Sequence, residues 1–572
     1  MPQSEELIQV SVWEIVISML PLLAVALLSH EMQLNIESPI LVGTIRTFVQ
    51  LSLLGFVLDP IFHYGVDWWW LVMAYCLLMI LLASFEASMR SKYYLKHQFW
   101  MVLGPMTVAV GFMFVFAFYV VLRPEPLWDP QYVIPIVGML LGNCINGVSL
   151  ALNSMLTLLV ESSREIELLL SFGATSYEAT ARLLREAVRT GAMPQLNGMA
   201  IIGIISIPGM MTGQILGGTT VMQAARYQIL ISYFIAVSSF ATILMELYLA
   251  LRACFNSRGV LRTDILQKRD SKPTFLDILG SICQGISGIL NLRRFRESSK
   301  RGTPSSSLET TTTTTVDEST SLLSGKGGLA VSTSKSQTNN GNRIPVLSVS
   351  NLAYGFDVHD EEADLKPASH RILFENVSFE LFSGGVALIS GRSGVGKSSL
   401  LRVLAGLEDV ESDKISLCGK SREQYSSMAL WRKQVRYVPQ TKVDIPGSPA
   451  AFMSKIASFQ SWKSPAGAKS PSYSEMTLST RELMLEWGMN TSLLDSEWKT
   501  LSGGESQRIL VAISLSSLPN GGVILLDEST SALDEESKLK VEKSVEGYCA
   551  TKKIVAIWIS HDPGQQGRMK QK

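Results

Sequence analysis

The chain has 572 residues, 50 basic and 50 acidic, and 47% of them are hydrophobic while only 17% are charged. A formal net charge of zero, with no long basic stripe outside a short cluster after the last apolar segment, argues against nucleic acid as a partner. The six cysteines show neither metal nor disulfide spacing, as expected of reduced thiols in a cytosol-facing protein.

The first residues, MPQSEELIQ, are acidic and lead to no small-residue cleavage pattern, so no removable signal peptide is expected. Apolar runs follow near 11–29, 40–59, 68–87, 98–122, 132–156, 199–218 and 228–252. Each is about 20 residues, enough to cross a hydrocarbon core of roughly 30 Å. The expectation is an all-α transmembrane bundle over 1–256 with about seven helices. An odd number of spans places the two ends on opposite sides. Arg90, Lys92, Lys96, Arg164, Arg182, Arg185, Arg189 and Arg252 then fall in cytosolic loops, against Arg123 and Arg226 outside, as the positive-inside rule requires.

Three features of this half stand out. Arg46 and Gln50 lie one turn apart in the second span, where a charge is expected to face protein or water, as a structural pair or a substrate contact. Pro208 and Gly209 break the sixth run, and broken helices mark transport routes. Met210, Met211 and Gln214 beside the break are candidate lining residues, the thioethers being suited either to a soft metal or simply to filling core. Between spans five and six, ESSREIELLLSFGATSYEATARLLREAVRTGAMP reads as helices broken at Gly173. Leu168, Leu169, Phe172, Tyr177, Ala181, Leu183 and Leu184 form its apolar faces, which makes the loop a candidate for transmitting motion.

From 257 to 344 the pattern dissolves. Its Ser, Thr, Gly and Asn content cannot bury enough apolar area to offset chain entropy, so a disordered tether is expected. Within it, the apolar patch at 275–292 is a candidate membrane-surface helix.

Beyond 345 the chemistry is explicit. The apolar run GVALIS ends at Gly391 and a helical pattern follows GRSGVGKS, the strand, loop and helix order of a phosphate site. Gly391, Arg392, Ser393, Gly394, Val395, Gly396, Lys397, Ser398 and Ser399 form the candidate ATP-binding loop, with Lys397 on the phosphates and Ser398 on Mg²⁺. The run VILLD brings Asp527 to a strand end as a second magnesium residue, and the adjacent Glu528 is placed to polarise water. A third apolar run, IVAIWIS, delivers His561 to the same edge.

These residues, together with VPQ ending at Gln440, LSGGESQR at 501–508 and SALD at 531–534, resemble the ATP-binding cassette family over 345–572. The resemblance implies an α/β P-loop ATPase using ATP and Mg²⁺, with Glu528, His561 and Gln440 catalytic, Gln440 also near the metal, and Tyr354 against adenine. It further implies that Leu501, Ser502, Gly503, Gly504 and Glu505 close over the ATP of a second copy, with Asp534 crossing the dimer seam. Glu505 stands where many members carry Gln.

The membrane half is similar to the bacterial iron-export permeases and related plant aluminium-tolerance proteins, on RTFVQL at 46–51, GNCINGVSLALN at 142–153, FGATSYEA at 172–179, PGMMTGQILGG at 208–218 and ARYQI at 225–229. In those relatives permease and ATPase resemble this chain as separate proteins. The expectation is therefore a multi-pass membrane half-transporter working as a homodimer or heterodimer, its ATPase cytosolic. Metal export, iron first, is the expected role, with a nucleotide-sugar such as UDP-glucose as alternative cargo and an ATP-gated regulator without cargo as a rival class. A dead-ATPase adaptor fits poorly, since Lys397, Asp527, Glu528 and His561 are all present.

Overall fold

The computed structural model describes residues 11–262, 265–269, 323–324, 330–333, 344–358, 369–410, 414–463, 470–531 and 533–570. It divides into two compact units, one of Met1–Ser88, Val102–Val148 and Pro194–Thr242, the other of Met89–Met101, Ser149–Met193 and Ile243–Lys572. The division does not follow the boundary expected at 256. The loop between spans five and six belongs with the ATPase because its apolar face is buried there, Ile166, Leu169, Leu170 and Phe172 each being at most 1% exposed.

The helices run α1 (Val12–Ser18), α2 (Leu20–Glu31), α3 (Glu37–Tyr64), α4 (Trp69–Met89), α5 (Gln98–Val115), α6 (Pro130–Glu161), α7 (Ser163–Ser171), α8 (Ser176–Ile201), α9 (Gly209–Leu216) and α10 (Val221–Cys254). A π-helical segment, Phe116–Leu122, extends α5. Among the described residues six helical stretches are long and apolar enough to cross a bilayer: Val12–Glu31, Glu37–Tyr64, Trp69–Met89, Gln98–Leu122, Pro130–Glu161 and Val221–Cys254. That is one fewer than the seven expected. The missing one is 199–218, where α8 stops at Ile201, Gly203 turns through a φ of +80°, and α9 begins only after Pro208. Opposite ends on opposite sides would now require this broken segment to cross as two half-helices. The helix α3 buries Ile61 alone. Its remaining apolar surface is of the kind that lipid or a neighbouring helix covers.

In the second unit β1 (Tyr93–Leu95) pairs antiparallel with β2 (Leu266–Lys268). The ATPase core is a six-stranded sheet containing β3 (Leu323–Ser324), β4 (Ala330–Thr333), β7 (Val386–Ser390), β10 (Val435–Val438), β11 (Val523–Asp527) and β12 (Val555–Ile559), in the order β10-β11-β12-β7-β4-β3. From β10 to β7 the strands are parallel, and every residue of β11 and β12 is buried, as sheets covered on both faces demand. A second, antiparallel sheet takes β5 (Leu347–Val358), β6 (Ser369–Leu381), β8 (Ile415–Leu417) and β9 (Lys420–Ser421) in the order β6-β5-β8-β9. Helices α11 (Lys397–Leu404), α12 (Met428–Gln434), α13 (Pro449–Ser458), α14 (Gln460–Lys463), α15 (Tyr473–Glu486), α16 (Gly503–Ser517), α17 (Glu535–Lys552) and α18 (Pro563–Lys570) complete it.

The expected tether is ordered in three places, one of them β2 on β1. Asn256 and Arg258 hydrogen-bond to Asp409, and Arg432 donates to the Gly259 carbonyl, which fixes the chain just past α10. Further on, β4 pairs antiparallel with β7, so a short segment rich in β-branched residues covers the edge that β7 would otherwise present. The patch at 275–292 and the Ser/Thr-rich run 305–322 lie outside the described residues.

Candidate nucleotide site and loop seat

Four parallel strands deliver their carboxyl ends to one edge, the place where open α/β sheets bind ligands. β7 runs into the glycine loop, β10 toward Gln440, β11 ends on Asp527, and β12 leads to His561. Gly394 and Gly396 take φ of +78° and +94°, conformations open to glycine without strain. A Cβ on Gly396 would also come within 3.2 Å of the Phe374 ring. Lys397 donates to the carbonyls of Gly391 and Arg392 at 3.0 and 2.9 Å.

Asp527 is 3% exposed and accepts from Ser398 Oγ at 3.1 Å and from the Tyr437 hydroxyl at 2.9 Å. Burial raises its carboxyl above the usual carboxylate range, and the hydrogen bonds from Ser398 and Tyr437 only partly oppose this. Glu528 has a left-handed φ of +45°, and its carboxylate lies between Gln440, whose Nε2 donates at 2.8 Å, and His561 Nε2 at 3.2 Å. The structure thus brings together Lys397, Ser398, Asp527, Glu528, Gln440 and His561. Ser398 and Asp527 present hard oxygens side by side, a donor set that fits Mg²⁺. Tyr354, on β5, packs against Phe374 with ring centroids 5.9 Å apart and donates its hydroxyl to Glu408 at 3.0 Å. Phe374 places this pair beside the glycine loop.

The signature residues lie elsewhere. Ser502 caps α16, accepting from the Glu505 amide, while the Glu505 carboxylate accepts from the Ser502 amide at 2.9 Å. This reciprocal box gives the Glu at 505 a local task, and the hydrogen bonds from Ser502 lower its carboxyl. Ser502 and Gly503 are exposed, and Lys442 donates to the Leu501 carbonyl. Among the described residues no hydrogen bond joins Leu501–Glu505 to the glycine loop. Asp534 is likewise exposed, capping α17 through the Ser537 amide.

The loop between spans five and six has a built seat in the same unit. At the turn between α7 and α8, the Ser171 carbonyl accepts from Arg436 at 3.1 Å, Phe172 O from Trp462 Nε1 at 3.0 Å and Gly173 O from Ser461 Oγ at 2.6 Å. The Phe172 ring is fully buried, edge-on to Phe452 at 5.0 Å and 4.2 Å beneath the Arg436 guanidinium. Burial drives Arg436 down to about 9. Gly173 is required twice over, for its φ of +86° and because a Cβ would meet Ala429 O and Ser461 Oγ at 3.0 Å. Of the expected apolar faces, Leu168, Leu169, Phe172 and Leu183 are buried but Tyr177 is 63% exposed. Helical spacing fixed the stripe and not its edge.

The substrate-path candidates are less converged. Arg46 pairs with Glu86 at 3.3 Å, a partner that sequence reading missed, and its side chain is 56% exposed rather than interior. Gln50 is exposed, while Met210, Met211 and Gln214 are half-buried on α9. Among the described residues no hydrogen bond or ion pair joins these to Arg46, and no group of three or more His, Cys, Asp or Glu is placed to hold a metal. Glu246 on α10 also went unnoticed; it is 1% exposed with neither carboxylate oxygen hydrogen-bonded. One acid inside an otherwise apolar run left no periodic signal.

A glycine-loop ATPase edge in the same unit as a seated membrane loop defines an ABC transporter. Consistent with this, the ABC transporter family model matches residues 374–531, and the model of Uncharacterised protein family (UPF0014) matches 12–255. A UPF0014 membrane protein of Synechocystis is 34% identical over 242 residues, covering 42% of this chain and 91% of that protein. The probable iron export permease protein FetB of Escherichia coli is 31% identical, over 42% of this chain and 92% of its own length. The probable iron export ATP-binding protein FetA of the same organism is 31% identical to the other half, over 33% of this chain and 78% of its length. The chain belongs to the UPF0014 family, its membrane domain fused to an ABC-transporter ATPase domain. It is a multi-pass membrane protein of the ATP-binding, transporter class.

Proposed function

We propose that the chain is an ATP-hydrolysing half-transporter that works as a dimer and exports iron from the cytosol. The observation that carries the coupling is the seat of Ser171–Gly173 among Arg436, Trp462 and Ser461, three residues of the ATPase. The cytosolic placement is supported by the grouping of the basic segments Met89–Met101 and Ser149–Met193 with the ATPase in one unit. Iron is the cargo named for FetB and FetA, each similar to one half of this chain.

In this reading Lys397 and the amides of Gly394 to Ser399 take the phosphates at the α11 amino terminus. Ser398 and Asp527, with Gln440 nearby, would hold Mg²⁺, which when bound neutralises charge on the phosphates. Glu528, steadied by Gln440 and His561, accepts a hydrogen bond from the attacking water and orients it. His561 is then positioned to donate to the γ-phosphate. The stretch from Ser502 to Gly504, exposed at Ser502 and Gly503, has no part in this work in its own chain and contacts the ATP of a second copy.

The test is transport by the purified chain in liposomes, against a panel of Fe²⁺, other divalent metals and UDP-sugars. ATP-dependent accumulation of Fe²⁺ above the other cargoes is expected. Preferential uptake of a UDP-sugar would overturn the cargo, and hydrolysis without accumulation of any of them would replace the transporter with a regulator.

A further inference from the structure

Four side chains in series connect the membrane loop to the tyrosine beside the glycine loop. Glu167 on α7 accepts from Arg402 Nη1 at 2.8 Å and Nη2 at 2.9 Å, a two-pronged pair. Arg402 lies on α11, the short helix that begins at Lys397, so one rigid element carries both the phosphate lysine and this guanidinium. Arg402 Nε donates to Glu408 Oε1 at 2.8 Å, and the other Glu408 oxygen accepts the Tyr354 hydroxyl at 3.0 Å.

An exposed ion pair of this kind is ordinarily worth little. Here the side chains of Arg402, Glu167 and Glu408 are only 27%, 30% and 25% exposed, and one cation serves two carboxylates from different elements. Burial works against the Arg402 charge, but hydrogen bonding and charge from Glu167, joined by Glu408, outweigh it and hold the guanidinium above its ordinary value. Removing either acid changes what the other experiences. Glu408 in turn accepts the hydroxyl of Tyr354, whose ring packs on Phe374.

We propose that Arg402 is a positioning residue through which the membrane loop sets the affinity of the nucleotide site. With Glu167 seated, Arg402 holds Glu408 and Glu408 holds Tyr354 where a purine stacks. When the loop shifts, Arg402 loses one of its two carboxylates and the Tyr354 anchor loosens. By reciprocity, nucleotide against Tyr354 strengthens the hold on Glu167. The inference rests on the reading that this loop carries motion to the ATPase, and it adds the route.

The test is a double-mutant cycle on the full chain in lipid nanodiscs, reading the Kd for MgATP by titration calorimetry. Glu167→Gln preserves size and removes the charge, and Tyr354→Phe preserves the ring and removes the hydroxyl. Each is expected to weaken binding about fivefold. The double variant is expected to be no weaker than the weaker single, because both open the same series. Glu178→Gln serves as the control, since Glu178 meets the ATPase at the Gln460 amide, outside the series, and is expected to leave the Kd unchanged. Additive losses, an unchanged Kd in Glu167→Gln, or an equal loss in Glu178→Gln overturns the proposal. Because binding is read, a chain that moves no cargo would sink the transport reading and leave this result standing.

Discussion

Two polar sites within the same unit are built on opposite principles. At the loop seat every carbonyl of Ser171–Gly173 meets a donor, from Arg436, Ser461 and Trp462, although Arg436 is itself buried against its charge. At the nucleotide edge the acids crowd together, with Asp527 and Glu528 adjacent, Asp527 buried against its own charge, and Glu528 in a left-handed backbone. The first arrangement serves stability. The second tolerates a cost in stability because the chemistry needs those groups there. Substitutions at the turn Ser171–Gly173 and its donors should therefore lower stability, and those at the edge activity.

The largest effect is expected at Glu528. Glu528→Gln retains the contacts to Gln440 and His561 in shape while removing the group that polarises water, so phosphate release should fall by roughly 10²- to 10⁴-fold. The melting temperature should stay within about 2 °C of the parent. A variant that unfolds instead would show the edge to be a packing element, and the contrast with the seat would fail.

At the seat the order reverses. Gly173→Val forces a β-branched residue to a φ of +86° with Ala429 O and Ser461 Oγ 3.0 Å from its Cβ. A loss of about 1–3 kcal/mol is expected from the backbone alone. Differential scanning fluorimetry and proteolysis at residues 172–175 would read it, and a protease-resistant, unshifted variant would mean that the turn is not held as described. Trp462→Phe is the milder version. It keeps an aromatic ring and deletes the donor to Phe172 O, at a cost of about 1 kcal/mol.

Which of these features could be read from the sequence follows from how local each one is. The glycine loop, Asp527, Glu528 and His561 are legible because each sits where an apolar strand ends, and strand, turn and helix are neighbours in the chain. The break at Pro208 and the turn at Gly173 are legible for the same reason. The pair Glu167 and Arg402 is separated by 235 residues, and nothing in either neighbourhood marks the other. Arg46 was visible as a charge in an apolar run, but Glu86, its partner, became visible only when α3 and α4 were packed. The strand Ala330–Thr333 was hidden inside low-complexity chain, because its order comes from the β7 edge and not from its own composition.

The smallest effect has the most discriminating sign. Asp527 has a folded-state carboxyl raised by burial, so the folded chain binds that proton more tightly than the unfolded chain does. The resulting stabilisation is fully present below the ordinary carboxylate range and is lost as pH rises through the raised value. At neutral pH the ionised group is then a net cost that Ser398 and Tyr437 only partly offset. Asp527→Asn removes the charge and keeps the shape, so the nucleotide-free chain should melt slightly higher at pH 7, by about 2 °C, with the difference shrinking as pH falls through the raised value and vanishing only below the ordinary carboxylate range. The same variant should lose the Mg²⁺ dependence of ATP binding, since an amide replaces the anionic oxygen. Stability gained where function is lost is the signature of a site arranged for its ligand. A seat residue such as Trp462 has no such trade to make, and a drop in melting temperature for Asp527→Asn at pH 7 would place both regions under the same rule.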